Sequence, residues 1–141
     1  MINLKIDNKK IEVPDGSTVL DAARAANVYI PTLCDDPLLE PFGACRMCIV
    51  EIEGHRGLPT SCSTPATEGM EVKTYSSTIE VNRRTTMNLM LSDHPLDCQH
   101  CVANMKCDLQ YVAGYVGVRE QPYEGETRSY EKDRSNPFYV R

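Results

Sequence analysis

The chain has 141 residues, which suits one domain of ordinary size or a small domain with an appended unit. Its net charge of -5 and its low aromatic content, with two Phe and no Trp, argue against a nucleic-acid partner, because phosphate binding needs a basic surface. No apolar run is long enough to span a membrane, and the first residues lack the apolar core of a signal peptide. We therefore expect a cytoplasmic protein, in a reducing compartment where clustered cysteines indicate metal or redox chemistry.

The first part of the chain predicts a small sheet. Apolar and polar residues alternate over residues 2–6, a turn follows at residues 7–9, and the alternation resumes at Ile11 and Val13. This pattern predicts a β-hairpin. Two further strands are predicted over residues 49–53 and 70–75.

One helix is predicted between the hairpin and the later strands. Thr18 and Asp21 form a capping-box signature at its start, and we expect the helix to end near Asn27. Residues 30–48 form a loop rich in proline and cysteine. The order of elements predicts an α+β fold, a β-grasp sheet with a helix packed across it.

A second, helical unit follows. A capping box of Ser77 and Glu80 predicts a helix over residues 78–91, and a short helix is predicted from about Cys107 to Gly117. We therefore expect a β-grasp domain over residues 1–76, a helical unit over residues 77–117, and an extended linker or docking arm over residues 118–141.

Seven cysteines fall into two groups, and a histidine completes the second group. The odd number argues against a framework of paired disulfides. Four thiols in one group, and three thiols with an imidazole in the other, make two complete ligand sets for metal centres. The first set is Cys34, Cys45, Cys48 and Cys62, and the second is His94, Cys98, Cys101 and Cys107.

The residues alone leave other interpretations of these sets open. Structural zinc commonly uses two close cysteine pairs, and the first set has one, Cys45 and Cys48. A dithiol redox pair at the same positions leaves Cys34 and Cys62 without a role. Three cysteines and a histidine are a standard zinc set, so zinc remains an alternative for the second set.

The sequence around the first set resembles a [2Fe–2S] ferredoxin domain. The resemblance rests on residues 31–48 and 60–65, which contain the spacing Cys34-x10-Cys45-x2-Cys48-x13-Cys62. The first gap is longer than in the plant-type motif. The pattern is similar to the amino-terminal ferredoxin domain of the large iron–sulfur subunit of NADH dehydrogenase (complex I), a domain that recurs in NAD-linked formate dehydrogenases and multi-cluster [FeFe] hydrogenases.

The second set strengthens this resemblance. His94-x3-Cys98-x2-Cys101-x5-Cys107 resembles the His/Cys3 motif that binds a [4Fe–4S] cluster in the same families. The resemblance covers about residues 1 to 117, and less specifically residues 135–138. It implies one [2Fe–2S] cluster on the first set and one [4Fe–4S] cluster on the second.

The resemblance also implies a function in electron transfer. The chain is expected to relay single electrons between a flavin/NAD(P)H-oxidising subunit and a catalytic partner of a formate dehydrogenase, hydrogenase or NADH dehydrogenase complex. It is either a separate subunit or a segment of a longer protein. Two alternatives remain open: a zinc-stabilised assembly or interaction module, and a thiol–disulfide enzyme using Cys45 and Cys48.

Other polar residues are expected to have minor roles. No glycine-rich phosphate loop or nucleophile elbow is recognisable in the sequence, so no catalytic residues are predicted. Asp35 and Asp36 beside Cys34 are expected to be solvated, His55 to lie on the surface, and His100 to be a polar neighbour of the second set. Tyr123, Tyr130, Phe138 and Tyr139 suggest that residues 119–141 dock on a partner, with a linker as the alternative.

Overall fold

The predicted hairpin forms one half of a mixed sheet. A computed structural model describes residues 1–125 and Ser135, and four strands form among these residues. The strand order is β2-β1-β4-β3, with β1 parallel to β4 and both outer pairs antiparallel. This arrangement confirms the predicted β-grasp sheet. The strands are β1 (Ile2–Ile6), β2 (Lys9–Val13), β3 (Glu51–Ile52) and β4 (Glu71–Lys73).

The first helix, α1 (Val19–Ala25), begins at the predicted capping box. The Thr18 hydroxyl accepts a hydrogen bond from the Asp21 N–H at 3.1 Å, and the Asp21 carboxylate accepts one from the Thr18 N–H at 2.9 Å. Asn27 follows the helix with a φ of 54°, a left-handed conformation that commonly ends helices. The apolar face of α1 packs with the sheet in a first core that includes Ile6, Leu20, Val50 and Val72.

The two later strands are shorter than predicted, and for β3 the reason is a local pairing near the first set of cysteines. Instead of joining the sheet, Ile49 pairs with Thr60 in an isolated bridge, and the Val50 N–H donates to the Pro59 carbonyl at 3.0 Å. Only Glu51–Ile52 is therefore left to pair with β4. The local pairing between residues 49–50 and 59–60 places Cys48 beside the segment that carries Cys62.

Two helices follow the sheet, α2 (Ser77–Ser92) and α3 (Asp108–Tyr115), and the loop between them includes one 3-10 turn (Cys98–His100). Gly117 follows α3 with a φ of 76°, where that helix was predicted to end. In the part of the chain that the structure describes, no helix has the length and apolar character needed to cross a membrane.

The predicted cap of α2 is wrong by one residue. The Ser76 hydroxyl, not that of Ser77, accepts a hydrogen bond from the Ile79 N–H at 3.2 Å. Glu80 does not complete a capping box; its carboxylate accepts a hydrogen bond from Arg84 at 2.6 Å. Ser76 and Ser77 are equally good capping residues by type, so the fold, rather than local preference, selects between them.

A second core joins the cysteine-rich loop to both later helices. Tyr29, just before that loop, contacts Tyr115 of α3 edge-on with ring centroids 4.8 Å apart. The helical unit therefore packs directly on the loop of the sheet domain. The buried members of this core are Cys45, Met47, Met87, Leu91, Val112 and Val116.

The end of the described chain lies against α2. The Gln121 side chain donates to the Asn88 carbonyl at 2.8 Å, and Val118 packs against the second core. Of the proposed docking arm, residues 126–134 and 136–141 lie outside the described residues, and with them Tyr130, Phe138 and Tyr139.

Candidate metal centres

The four cysteines of the first set form two pairs. The Cys45 N–H donates a hydrogen bond to the Cys34 sulfur at 3.4 Å. The Cys48 and Cys62 sulfurs lie 3.3 Å apart, a contact between free thiols rather than a disulfide. Cys45, Cys48 and Cys62 are buried, and Cys34 is half-buried. The loop and the segment after it thus place all four predicted thiols in one region.

Two unusual backbone conformations shape the loop. Gly43 has a φ of 66°, and a Cβ atom at this position would lie 2.8 Å from the Thr60 hydroxyl oxygen. Arg46 has a φ of 56°, and its guanidinium donates to the Leu58 carbonyl at 2.9 Å. The Ser61 N–H donates to the Cys48 carbonyl at 2.9 Å. These contacts hold the loop close to the segment that supplies the fourth cysteine.

Burial and hydrogen bonds shift the pKa values of three of the four thiols in the first set. Burial, together with the hydrogen bond to Cys48, raises the pKa of Cys62 to about 12. Burial also raises the pKa of Cys34. At Cys45, burial acts to raise the pKa, but the N–H groups of Met47 and Leu33 outweigh it and the pKa falls. Positive charge from a bound metal would favour the thiolate forms of Cys34 and Cys62, the two thiols whose pKa values are raised.

The arrangement of these thiols fits a centre with two iron ions. Within the described residues, no three His, Cys, Asp or Glu side chains converge on one position for an ion. Two pairs of sulfurs suit a centre with two metal ions. The Ser61 hydroxyl is also buried without a hydrogen-bond partner among the described residues, which leaves one polar group for a ligand to satisfy.

The second set lies on the loop between α2 and α3. His94 comes two residues after α2. Cys98 is the first residue of the 3-10 turn and Cys101 follows the turn, with the Cys101 N–H donating to the Cys98 carbonyl at 3.2 Å. Cys107 is the residue before α3, and its side chain makes no capping hydrogen bond. The backbone thus gathers the four residues on one loop, without bringing their side chains to one point.

The donor chemistry of the second set fits a metal cluster. Three thiols and an imidazole complete a four-ligand set. No residue from 93 to 107 in the described chain is buried, so this loop has little apolar packing of its own. Such a loop commonly takes its final shape around the metal it binds. The amino terminus of α3, next to Cys107, also favours negative charge.

Of the other polar residues considered in the sequence, three make side-chain contacts outside the two ligand sets. Asp35, expected to be solvated, is instead paired with Arg24 at 2.6 Å, and its side chain is only 14% exposed. The Asp36 carboxylate accepts a hydrogen bond from the Leu38 N–H at 2.8 Å. His100 lies 2.7 Å from the Asp97 carboxylate, and His55 is exposed.

Arg83, a residue buried beside the first set, was not predicted from the sequence. Its guanidinium donates to the carbonyl groups of Met47 and Ile49, both at 2.8 Å. The available signal was the four-residue spacing of the buried face of α2, where Arg83 lies between Ile79 and Met87. A charged residue in such a stripe indicates a specific buried partner.

Family models match both parts of the chain. A model described as "2Fe-2S iron-sulfur cluster binding domain" matches residues 1–77. The chain belongs to this family. A second model, described as "NADH-ubiquinone oxidoreductase-G iron-sulfur binding region", matches residues 83–122. The predicted family and the prediction of one [2Fe–2S] and one [4Fe–4S] cluster are thereby confirmed.

Several characterised proteins are similar to this chain over nearly its full length. It is 46% identical to "NADP-reducing hydrogenase subunit HndD" of Solidesulfovibrio fructosivorans, over 96% of this chain and 24% of that protein. It is 44% identical to a subunit of the NADH-quinone oxidoreductase of Streptomyces coelicolor, over 94% of this chain and 16% of that protein. The chain therefore spans a quarter or less of these relatives' length.

A solved structure has the same fold. The chain aligns with a protein from the "Crystal structure of NAD+-reducing [NiFe]-hydrogenase in the H2-reduced state" with a TM-score of 0.86 and 32% identity. The alignment covers 96% of this chain and 57% of that one. The likeness confirms the predicted α+β class with a ferredoxin-like domain.

Proposed function

We propose that this chain is an electron-transfer module of a multisubunit oxidoreductase. When bound, the two clusters supply one-electron redox chemistry, and the protein supplies binding, orientation and shielding. The observation that carries the proposal is the arrangement of the first set: four thiols in two pairs, three of them buried, on a strained and hydrogen-bonded loop.

The ligand roles follow from these pairs. Cys34 and Cys45 are proposed to bind one iron of the [2Fe–2S] cluster, and Cys48 and Cys62 the other. The [4Fe–4S] cluster is assigned to the loop between α2 and α3. Its proposed ligands are His94, Cys98, Cys101 and Cys107.

The proposed boundaries place one cluster in each unit. Residues 1–76 are the ferredoxin-like domain, residues 77–117 the helical unit, and residues 118–141 a linker or docking arm. The second core is shared between the first two units, and we propose that it holds the helices of the second unit in a fixed relation to the first set of cysteines. A fixed relation suits electron transfer, because it requires no reorientation of one site toward the other.

The proposed partners are the other redox subunits of such a complex. One would oxidise NADH or NADPH with a flavin, and the other would carry the catalytic site of a hydrogenase, an NADH dehydrogenase or a formate dehydrogenase. The names of the relatives support a hydrogenase or an NADH dehydrogenase as this complex. We propose the cytoplasm as the location, since the ligand cysteines must stay reduced until the clusters assemble.

The proposed function is tested by anaerobic redox titration. Protein purified under argon is reduced with dithionite and reoxidised, and we expect reversible uptake of about two electrons per chain, one for each cluster. Cys48→Ser should remove the [2Fe–2S] signal in electron paramagnetic resonance (EPR) spectra and keep the other, whereas Cys101→Ser should do the opposite. Protein that takes up no electrons, as a zinc-stabilised module would, contradicts the proposal.

A further inference from the structure

Arg83 is a buried, positively charged residue of α2. It lies on the buried face of α2, four residues from Ile79 and four from Met87, and is only 4% exposed. Burying a guanidinium costs several kcal/mol unless an opposite charge or good hydrogen bonds compensate. The residue therefore needs a partner that explains its position.

The direct partners of Arg83 are carbonyl groups on either side of Cys48. Its Nε donates to the Met47 oxygen and its Nη2 to the Ile49 oxygen, both at 2.8 Å. Among the described residues, no carboxylate lies within ion-pair distance of it. Carbonyl dipoles satisfy the N–H groups but do not neutralise the charge.

Because the two carbonyl partners flank Cys48, an anion bound at Cys48 would lie close to the guanidinium. Burial lowers the pKa of Arg83, while negative charge on four groups acts in the opposite direction: Tyr115, Cys48, Tyr29 and Asp7. A [2Fe–2S] centre with four thiolate ligands is a dianion when oxidised and gains a further negative charge on reduction. Such an anion at Cys48 would compensate the guanidinium, and its reduced form would gain more from it than its oxidised form.

We propose that Arg83 is the buried counter-charge of the first cluster and that its charge raises the reduction potential of the [2Fe–2S] centre. This inference rests on the proposed function, because it needs the cluster on Cys48. Arg83 is not a cluster ligand; it acts on the potential of the cluster through its charge. Because Arg83 belongs to α2, it also links the first metal site to the helix that leads to His94.

The neighbouring Arg84 offers a matched control. It carries the same charge one residue away, but its side chain is 43% exposed and is paired with Glu80 at 2.6 Å. Solvent screens this charge, so its removal should leave the first cluster's potential unchanged. A difference between substitutions at the two positions isolates the effect of burial.

The test is a potentiometric EPR titration of the full chain as purified with its clusters. Arg83→Gln and Arg83→Lys are compared with Arg84→Gln and the parent, and the second cluster serves as an internal reference. For Arg83→Gln we expect the reduced-to-oxidised ratio of the first cluster to fall about tenfold at a fixed ambient potential, equivalent to about 59 mV for a one-electron couple. Arg83→Lys, which keeps the charge, should stay near the parent, as should Arg84→Gln.

Each outcome decides the inference. Failure of Arg83→Gln to hold the first cluster, with a normal potential in Arg83→Lys, supports the counter-charge. A parent-like potential in an assembled Arg83→Gln protein overturns it. An equal shift of the potential in Arg83→Gln and Arg83→Lys also overturns it, as does loss of the first cluster from Arg83→Lys. In either case the geometry of the side chain, rather than its charge, would matter. A parent protein without a reducible [2Fe–2S] signal would instead refute the proposed function.

Discussion

Single residues with left-handed backbone conformations build the loop around the first set of cysteines. Gly43 and Arg46, on either side of Cys45, both have positive φ values, of 66° and 56°. A non-glycine residue in this region costs about 1 to 2 kcal/mol, so Arg46 stores strain that the surrounding contacts must outweigh. The guanidinium of Arg46, bonded to Leu58, is one such contact.

Gly43 gives the first residue-level prediction. In Gly43→Ala, the positive φ would cost about 1 to 2 kcal/mol, and the new methyl group would also press on the Thr60 hydroxyl. We expect a lower occupancy of the first cluster and a lower midpoint concentration for unfolding by guanidinium chloride. Iron analysis and anaerobic denaturation measure these two effects.

Gly54→Ala is the matched control for this substitution. Gly54 has a φ of 79°, but a Cβ atom there would meet no other atom within 4 Å. It should therefore reproduce the backbone cost and leave the cluster occupancy unchanged. Equal effects of the two substitutions on iron content would contradict the close approach at Gly43.

His94 gives the second residue-level prediction. Replacing a neutral imidazole by a thiolate makes a cluster more negative and thus harder to reduce. His94→Cys should lower the potential of the second cluster, with about a tenfold fall in its reduced-to-oxidised ratio at a fixed ambient potential. EPR titration measures the change, and His100→Gln, in the same loop, should leave the potential unchanged. An unchanged or higher potential in His94→Cys would count against His94 as a ligand.

At the scale of elements, two adjacent serines at the start of α2 have different roles. Ser76 caps the helix, whereas Ser77 is its first residue. Ser76→Ala should therefore lower the free energy of unfolding by about 1 kcal/mol, while Ser77→Ala should change it little. Guanidinium denaturation of the two proteins measures the difference. A larger loss in Ser77→Ala would restore the capping box expected from the sequence.

The elements themselves could be predicted closely, and their departures have physical causes. The hairpin and α1 follow from alternation and from the Thr18 capping box, which are local signals. The strand expected over residues 49–53 is short, because Ile49 pairs with Thr60 in the segment that supplies Cys62. That pairing is set by the tertiary structure, and a local sequence pattern does not contain it.

At the scale of the whole molecule, one core joins the first set of cysteines to α2 and α3, the two helices between which the second set lies. Met87 of α2 is fully buried in it, together with Cys45 and Met47 of the first site and Val112 of α3. Met87→Ala should cost about 2 to 5 kcal/mol and should destabilise both clusters together. This coupling is measured by following the visible absorption and the EPR signal of each cluster during anaerobic denaturation, and by comparing the points at which the two clusters are lost.

The control for Met87 lies on the same helix. Leu89 is 55% exposed, so Leu89→Ala removes a similar apolar side chain without opening a cavity. It should leave the stability of both clusters nearly unchanged. A first cluster that survives Met87→Ala while the second is lost would show that the two sites unfold separately.

The candidate ligands come from the sequence, whereas their arrangement depends on the fold. The spacing of the cysteines and His94 predicted two ligand sets, because ligand number and type are written in the sequence. The pairing of Cys34 with Cys45 and of Cys48 with Cys62 depends on how the loop folds against residues 60–62. Arg83 was missed for a similar reason, since its carbonyl partners lie more than thirty residues away in sequence.

The central claim is that this chain holds two iron–sulfur clusters of different size. Metal and acid-labile sulfide analysis of anaerobically purified protein tests it most directly. The account predicts about six iron and about six sulfide per chain, with zinc near zero. A colourless protein with about two zinc ions and no sulfide would contradict it.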